Sequence, residues 1–235
     1  MNLFTSDIDW APEEVIADTL SLFSKYNVKC TFFCTHESNV INSIKSDKNF
    51  ELGIHPNFLP LMNNKEGSIN EAFDKVLNIV PDAKGIRSHS LVQSTPLIDI
   101  IKEYGLKYEA NSLLPYKKDI NPIKLWNGII KVMHNFEDDI HFMYNHSFND
   151  TIIKQYASRL NVYCMHPIHI FLNTDTQQTY DSAKKYYHEP KELIKHRNTS
   201  KFGTRDLLIQ LLENHYEHFN NSFTVYNYLQ NENII

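Results

Sequence analysis

The feature that most constrains this chain is a repeated alternation of short β-like runs with amphipathic helical segments. Met1–Ser6 reads as a short strand leading into Asp7, and Pro12 follows at a first-turn helical position with Glu13 and Glu14 beside the positive helix end. Val15, Ile16, Leu20, Phe23 and Tyr26 then recur at helical spacing. Val28–Thr35 reads as a buried strand, and Phe50–His55 as a shorter one that ends in a polar cluster. Ser68 and Glu71 form a capping box ahead of Phe73, Val76, Leu77 and Val80. Lys84–His89 reads as a strand, and Thr95-Pro96 starts a helix that stops at Gly105. Leu106–Ala110 is strand-like, Asp150 is placed to cap a helix carrying Ile152 and Tyr156, and Leu160–His166 is the last clear strand. A closing helix takes in Leu207, Leu208, Leu211, Leu212, Tyr216 and Phe219.

Such alternation predicts an α/β fold of parallel strands with right-handed crossovers, closed as a barrel or left open as a wound sheet. A chain of 235 residues buries a real core as one domain, and the polar stretch near 174–202 reads as a long surface insertion. Composition excludes several functions. The 42% hydrophobic content rules out disorder. A net charge of −5 argues against nucleic acid or an anionic membrane as the main partner. Three cysteines, Cys30, Cys34 and Cys164, cannot form a disulfide framework and read as core fillers in a reducing compartment. No apolar run approaches the ~20 residues of a membrane helix, so a soluble cytoplasmic protein is the expectation.

In barrels and wound sheets the site lies at the C-terminal strand ends. Four strands end in unusual polar clusters: Ser6-Asp7-Ile8-Asp9-Trp10, Gly53-Ile54-His55-Pro56-Asn57, Arg87-Ser88-His89-Ser90 and His166-Pro167-Ile168-His169. Each has an ordinary explanation. Asp7 and Asp9 would serve as helix caps, His55 as a half-buried histidine, and Arg87 as one arm of a rim ion pair. Their recurrence at the same end of successive strands points instead to a shared site. Two acids at alternate positions of an extended chain face the same way, so one could bind a metal while the other accepts a proton.

Taken in order, Asp7-Ile8-Asp9, Thr31-Phe32-Phe33, Glu51-Leu52-Gly53-Ile54-His55, Gly85-Ile86-Arg87 and Met165-His166-Pro167 resemble the motifs of the polysaccharide deacetylase superfamily, the NodB-homology enzymes of carbohydrate esterase family 4. The resemblance runs from about Met1 to His166. It implies a distorted (β/α) barrel and a divalent metal, most often zinc, used to remove acetyl groups from amino sugars. It also implies roles: Asp7 as general base, Asp9 and His55 as metal ligands, Arg87 as the cation holding the base, and His166 as general acid. The chain departs from the pattern at three places. Leu59 stands where the second metal-binding histidine is expected, so His89, or else Asn57, is the candidate replacement. The stretch after Arg87 lacks its usual proline, and the aspartate that tunes the acid is missing from Glu109-Ala110-Asn111-Ser112. Trp10, Asn57 and His169 are the candidates for substrate contact, although core packing is the commoner use of tryptophan. His36, His134, His141, His146, His188, His196, His215 and His218 read as background.

The leading expectation is a metal-dependent deacetylase acting on a sugar or oligosaccharide, a precursor of a surface polysaccharide, with the acetyl group on nitrogen or oxygen. Two alternatives stand beside it. One is a metal-dependent hydrolase of another amide. The other is a catalytically silent barrel that binds carbohydrate or a partner protein.

Overall fold

In the computed structural model, which describes residues 1–63, 67–148, 159–218 and 221–235, strands and helices alternate as the hydrophobic pattern predicts. The described strands are β1 (Asn2–Asp7), β2 (Cys30–Cys34), β3 (Phe50–Ile54), β4 (Gly85–Ile86), β5 (Tyr108–Leu113), β6 (Ile123–Lys124), β7 (Ile130–His134), β8 (Phe136–Glu137) and β9 (Asn161–Cys164). They form one sheet in the order β6-β7-β5-β4-β3-β2-β1-β9-β8, parallel throughout except where β6 runs against β7. Every residue of β1 from Leu3 onward and all of β2 and β9 are buried, as expected of parallel strands covered on both faces.

One residue shows that the sheet curls. Asn135 alone separates β7 from β8, yet these strands lie towards opposite flanks of the strand order. Both facts hold only if the flanks meet. Asn135 fastens that seam: its N–H donates to the Val162 carbonyl at 3.1 Å, and its Oδ1 accepts from the Val162 N–H at 2.9 Å. The result is a curled, mostly parallel sheet of the distorted (β/α) barrel type.

The closing C-terminal helix (Val225–Asn231) plugs the end at which the strands begin. Its Val225 and Tyr226 N–H groups donate to Thr31 Oγ1 and Glu51 Oε2, both at 2.9 Å. The other end, where the strands finish, stays open. Close packing inside the barrel leaves no room at Gly85, where a Cβ would lie 1.9 Å from Cζ of Tyr108. Tyr108 has little freedom to yield, because it is buried and its hydroxyl donates to Glu51 at 2.7 Å. Gly85→Ala is therefore expected to cost about 2 kcal/mol through overpacking, read as a lower urea midpoint. An unchanged midpoint would contradict this packing.

The capping box is present, with Ser68 and Glu71 opening the helix Ile69–Leu77. Gly105, at φ 78°, follows the helix Thr95–Glu103 in a left-handed conformation suited to glycine. Other boundaries move. The strand expected over Lys84–His89 is only Gly85–Ile86, and His89 opens a 3-10 turn in which Ser90 and Leu91 have φ of 56° and 54°. The helix placed after Asp150 and the end of the closing apolar helix at Phe219 lie outside the described residues.

The segment 174–202 is more than the surface insertion expected of it. It folds into helices Gln177–Ala183 and Pro190–Leu193 with 3-10 turns between and after them. Ala183 and Leu193 are fully buried, and Tyr180, Tyr186 and Tyr187 pack against the core. The many charges of this stretch lie beside an inner face of tyrosine, alanine and leucine, which a composition-based reading overlooks. Among the described residues no helix is long and apolar enough to cross a membrane.

Candidate active site

β1 ends at Asp7, and the chain then turns sharply: Asp9 and Trp10 have φ of 37° and 57°. The two carboxylates thus reach the same mouth through a left-handed turn, whereas simple strand alternation would require an extended chain. His55 follows β3, and its N–H donates to the Cys34 carbonyl at 2.9 Å before Pro56 ends the pairing. His89 is anchored by its N–H to the Pro56 carbonyl at 3.0 Å.

These anchors bring three side chains together. His55 Nε2 lies 3.1 Å and His89 Nδ1 3.2 Å from the same oxygen, Oδ1 of Asp9. The three donor atoms fall within 4.8 Å of one another. Two imidazole nitrogens converging on one carboxylate oxygen form a donor set that suits zinc and similar divalent ions. Asn57 Oδ1 accepts from the Leu59 N–H at 3.0 Å and so serves the turn into the helix Leu59–Met62. Leu59, at the position of the expected second histidine, is the first residue of that helix.

Behind this cluster, Asp7 Oδ1 accepts from Arg87 Nη1 at 2.8 Å. Arg87 is completely buried and is also held by Thr5 Oγ1 at 3.0 Å, by the Ala110 carbonyl at 3.1 Å and by the face of Phe33. Burial alone would raise the Asp7 carboxyl, but Arg87, with His55 and His166, outweighs it and holds Asp7 below the usual carboxylate range. Asp7 is therefore ionised at neutral pH.

His166 begins the turn into the helix Pro167–Leu172. Its Nδ1 lies 2.7 Å from Asp138 Oδ1, and its backbone N–H donates to Asp138 Oδ2 at 2.9 Å. Nε2 is left facing the mouth, 3.7 Å from Asp9 Oδ2. Burial opposes protonation of this imidazole, yet the carboxylates of Asp138, Asp139 and Asp9 raise it well above the ordinary histidine value. No motif in the sequence reading points to Asp138. The available signal is the acidic run Glu137-Asp138-Asp139, which begins at the last residue of β8.

The stretch in which such an acid was expected has a different task. Glu109 holds Lys131 at 2.6 Å and the Asn111 N–H at 2.8 Å, while Asn111 Oδ1 accepts from the Ser88 N–H at 2.6 Å. These bonds fix the loop that carries Arg87 and His89. Of the background histidines, His134 is buried with Nε2 2.8 Å from Glu137 Oε2. His188 departs from that reading, because it lines the site.

A cavity of about 340 Å³ opens over the cluster, its lining including Trp10, His89, His166, His169, Tyr187 and His188. The Trp10 ring meets His89 edge to face at 5.1 Å between centroids. His169 is buried, with Nδ1 3.3 Å from Thr174 Oγ1, and burial pushes it down to about 4, so it is a neutral imidazole. Tyr187, which sequence inspection does not single out, donates its hydroxyl to the Asp9 carbonyl at 2.6 Å.

The family described as WbmS-like polysaccharide deacetylase matches residues 4–184. Among solved structures, a Bordetella bronchiseptica protein assigned as a polysaccharide deacetylase involved in O-antigen biosynthesis superposes with a TM-score of 0.86 at 35% identity, over 91% of this chain and 90% of that one. The 4-alpha-glucanotransferase of Thermococcus litoralis shares the fold at a TM-score of 0.52 and 11% identity, over 98% of this chain and 38% of that one. No curated protein matches significantly.

Proposed function

This chain belongs to the WbmS-like polysaccharide deacetylase family, and on that premise we propose that it is a metal-dependent hydrolase that removes the acetyl group from an N-acetylated sugar bound for a surface polysaccharide. The observation that carries this reading is the juxtaposition, at one mouth, of a candidate metal triad, a carboxylate held ionised and an imidazole held protonated. The relative from Bordetella bronchiseptica, assigned to O-antigen biosynthesis, supports the choice of a surface polysaccharide. A barrel that merely bound carbohydrate would have no need of base, tether and acid together.

Asp9, His55 and His89 would hold the metal. A zinc or similar ion bound there supplies Lewis acidity at the acyl carbonyl. Asp7, kept ionised by Arg87, takes the proton of the attacking water. His166 holds one proton on Nδ1 against Asp138 and delivers the other from Nε2 to the departing nitrogen. Neutral His169 offers a hydrogen-bonding partner to the sugar, and Trp10 presents an aromatic surface beside it.

Purified protein supplemented with zinc or cobalt is expected to hold close to one metal per chain and to release acetate from N-acetylated amino sugars. A content below about 0.1 metal per chain would remove the basis of the proposal. His89→Ala is expected to weaken metal binding at least tenfold, about the effect of losing a ligand or its support. Unchanged affinity would take His89 out of the ligand set.

A further inference from the structure

The Asp9-Trp10 turn is unusual for its composition. Two consecutive residues, neither of them glycine, adopt the left-handed conformation, and one of them is a candidate metal ligand. Such backbone persists only where neighbouring groups over-determine it. Two of the clamps are local to the barrel rim. The Ala11 N–H donates to the Ile8 carbonyl at 2.7 Å, and the Trp10 N–H donates to Thr35 Oγ1 at 3.0 Å, just past β2. The third comes from 178 residues away, where the Tyr187 hydroxyl donates to the carbonyl of Asp9 itself at 2.6 Å.

Tyr187 is well placed to act as a fixed strut. Its N–H donates to the Lys184 carbonyl at 3.1 Å, so the residue closes the 3-10 turn Lys184–Tyr186. Ala183 and Leu193, fully buried on either side, root the segment in the core, and the Tyr180 ring packs edge to face on His169 at 4.8 Å. The family match ends at residue 184, three residues before this strut.

We propose that Tyr187 is a positioning residue that sets the Asp9 carboxylate for metal binding, and that the segment 174–202 acts as a brace for the metal site. The inference rests on the proposed metal site, since a brace for Asp9 matters only if Asp9 is a ligand. Removing the hydroxyl frees the Asp9 carbonyl and widens the range of orientations that the turn adopts. The carboxylate then meets His55 and His89 in the right geometry less often, and affinity falls with that fraction.

The test compares Tyr187→Phe with Tyr186→Phe in the full chain. Tyr186 loses the same atom one residue away, but its ring stacks on His196 at 4.9 Å and does not reach Asp9. Cobalt affinity is measured by chelator competition, the ligand geometry by the cobalt visible spectrum, and folding by the melting temperature of the metal-free chain. Tyr187→Phe is expected to weaken cobalt binding about tenfold and to alter its spectrum. The metal-free melting temperature is expected to stay within about 4 °C of the parent, the effect of roughly 1 kcal/mol in a chain of this size. Tyr186→Phe is expected to change neither affinity nor spectrum. Unchanged cobalt affinity and spectrum in Tyr187→Phe would overturn the proposal. So would equal weakening by both variants, which would assign the effect to the segment's stability. A parent chain that binds no cobalt would overturn the metal reading itself, and the brace with it.

Discussion

Asp7→Asn is expected to lower acetate release about a thousandfold while metal content stays at the parent level, because a positioned general base contributes 10²–10⁴ in rate. Asparagine keeps the shape of the side chain and still accepts a hydrogen bond from Arg87, but it cannot take up the proton of the attacking water. Asp7 is not one of the three convergent donors, although its Oδ2 lies 3.7 Å from His55 Nδ1 on the side of the ring away from Asp9. Acetate release within tenfold of the parent would mean that another group is the base. Loss of the metal together with activity would mean that Asp7 shapes the metal site. The substitution also leaves the buried Arg87 charge without its carboxylate, which destabilises the fold. Asp7 has a depressed folded value, so its stabilisation is present above the ordinary carboxylate range near pH 4 and is lost as pH falls through the depressed value. Comparison of Asp7→Asn with the parent at neutral pH therefore shows the full effect of the missing charge.

Asp138→Asn is the second large effect, expected at about a hundredfold in kcat above neutral pH. An asparagine amide oxygen still accepts from His166 Nδ1 and keeps Nε2 towards the mouth, while its NH2 group replaces the oxygen that accepts from the His166 backbone N–H. What disappears is the negative charge 2.7 Å from Nδ1, foremost of the charges that hold the imidazole protonated against burial. The sign follows directly. In the parent the imidazolium persists well above pH 6.5, the ordinary value of about 6.5 having been raised, so the acid remains competent into the alkaline range. In the variant the value falls and the alkaline limb of the pH–rate profile moves to lower pH. The same ion pair stabilises the fold fully below about pH 6.5 and fades as pH rises through the raised value. A profile of kcat against pH that keeps its alkaline limb would remove Asp138 from the account of the acid.

Several parts of the site are legible in local sequence. Asp7, Asp9, His55 and Arg87 stand in the polar clusters that close successive strands, and hydrophobic periodicity locates those strands to within a few residues. His166 stands at the end of the last strand, before a proline that starts a helix. The choice between His89 and Asn57 is not legible in the same way. Both lie within a few residues of a strand end, and residue type alone favours histidine only mildly. Two hydrogen bonds bear on it: the one that turns Asn57 towards Leu59, and the one from His89 to Pro56 that swings the 3-10 turn over Asp9. The short fourth strand has the same origin. Gly85 and Ile86 pair with their neighbours, after which the loop is held by Asn111.

Asp138 and Tyr187 lie beyond local reading altogether. Asp138 is 28 residues from His166 and Tyr187 is 178 from Asp9, with no spacing rule linking either pair. Asp138 reaches His166 because one residue, Asn135, joins two strands that meet only when the sheet curls shut. Tyr187 reaches Asp9 because the tyrosine, alanine and leucine face of a highly charged segment buries itself against the barrel. By itself, the sequence determined the alternation of strands and helices and the polar residues that close the strands, since both follow from periodicity and turn chemistry over a few residues. Only the tertiary structure decided which of those residues meet at one point and what tunes them, because ligand geometry and charge coupling depend on separations of about 3 Å between groups far apart in the chain.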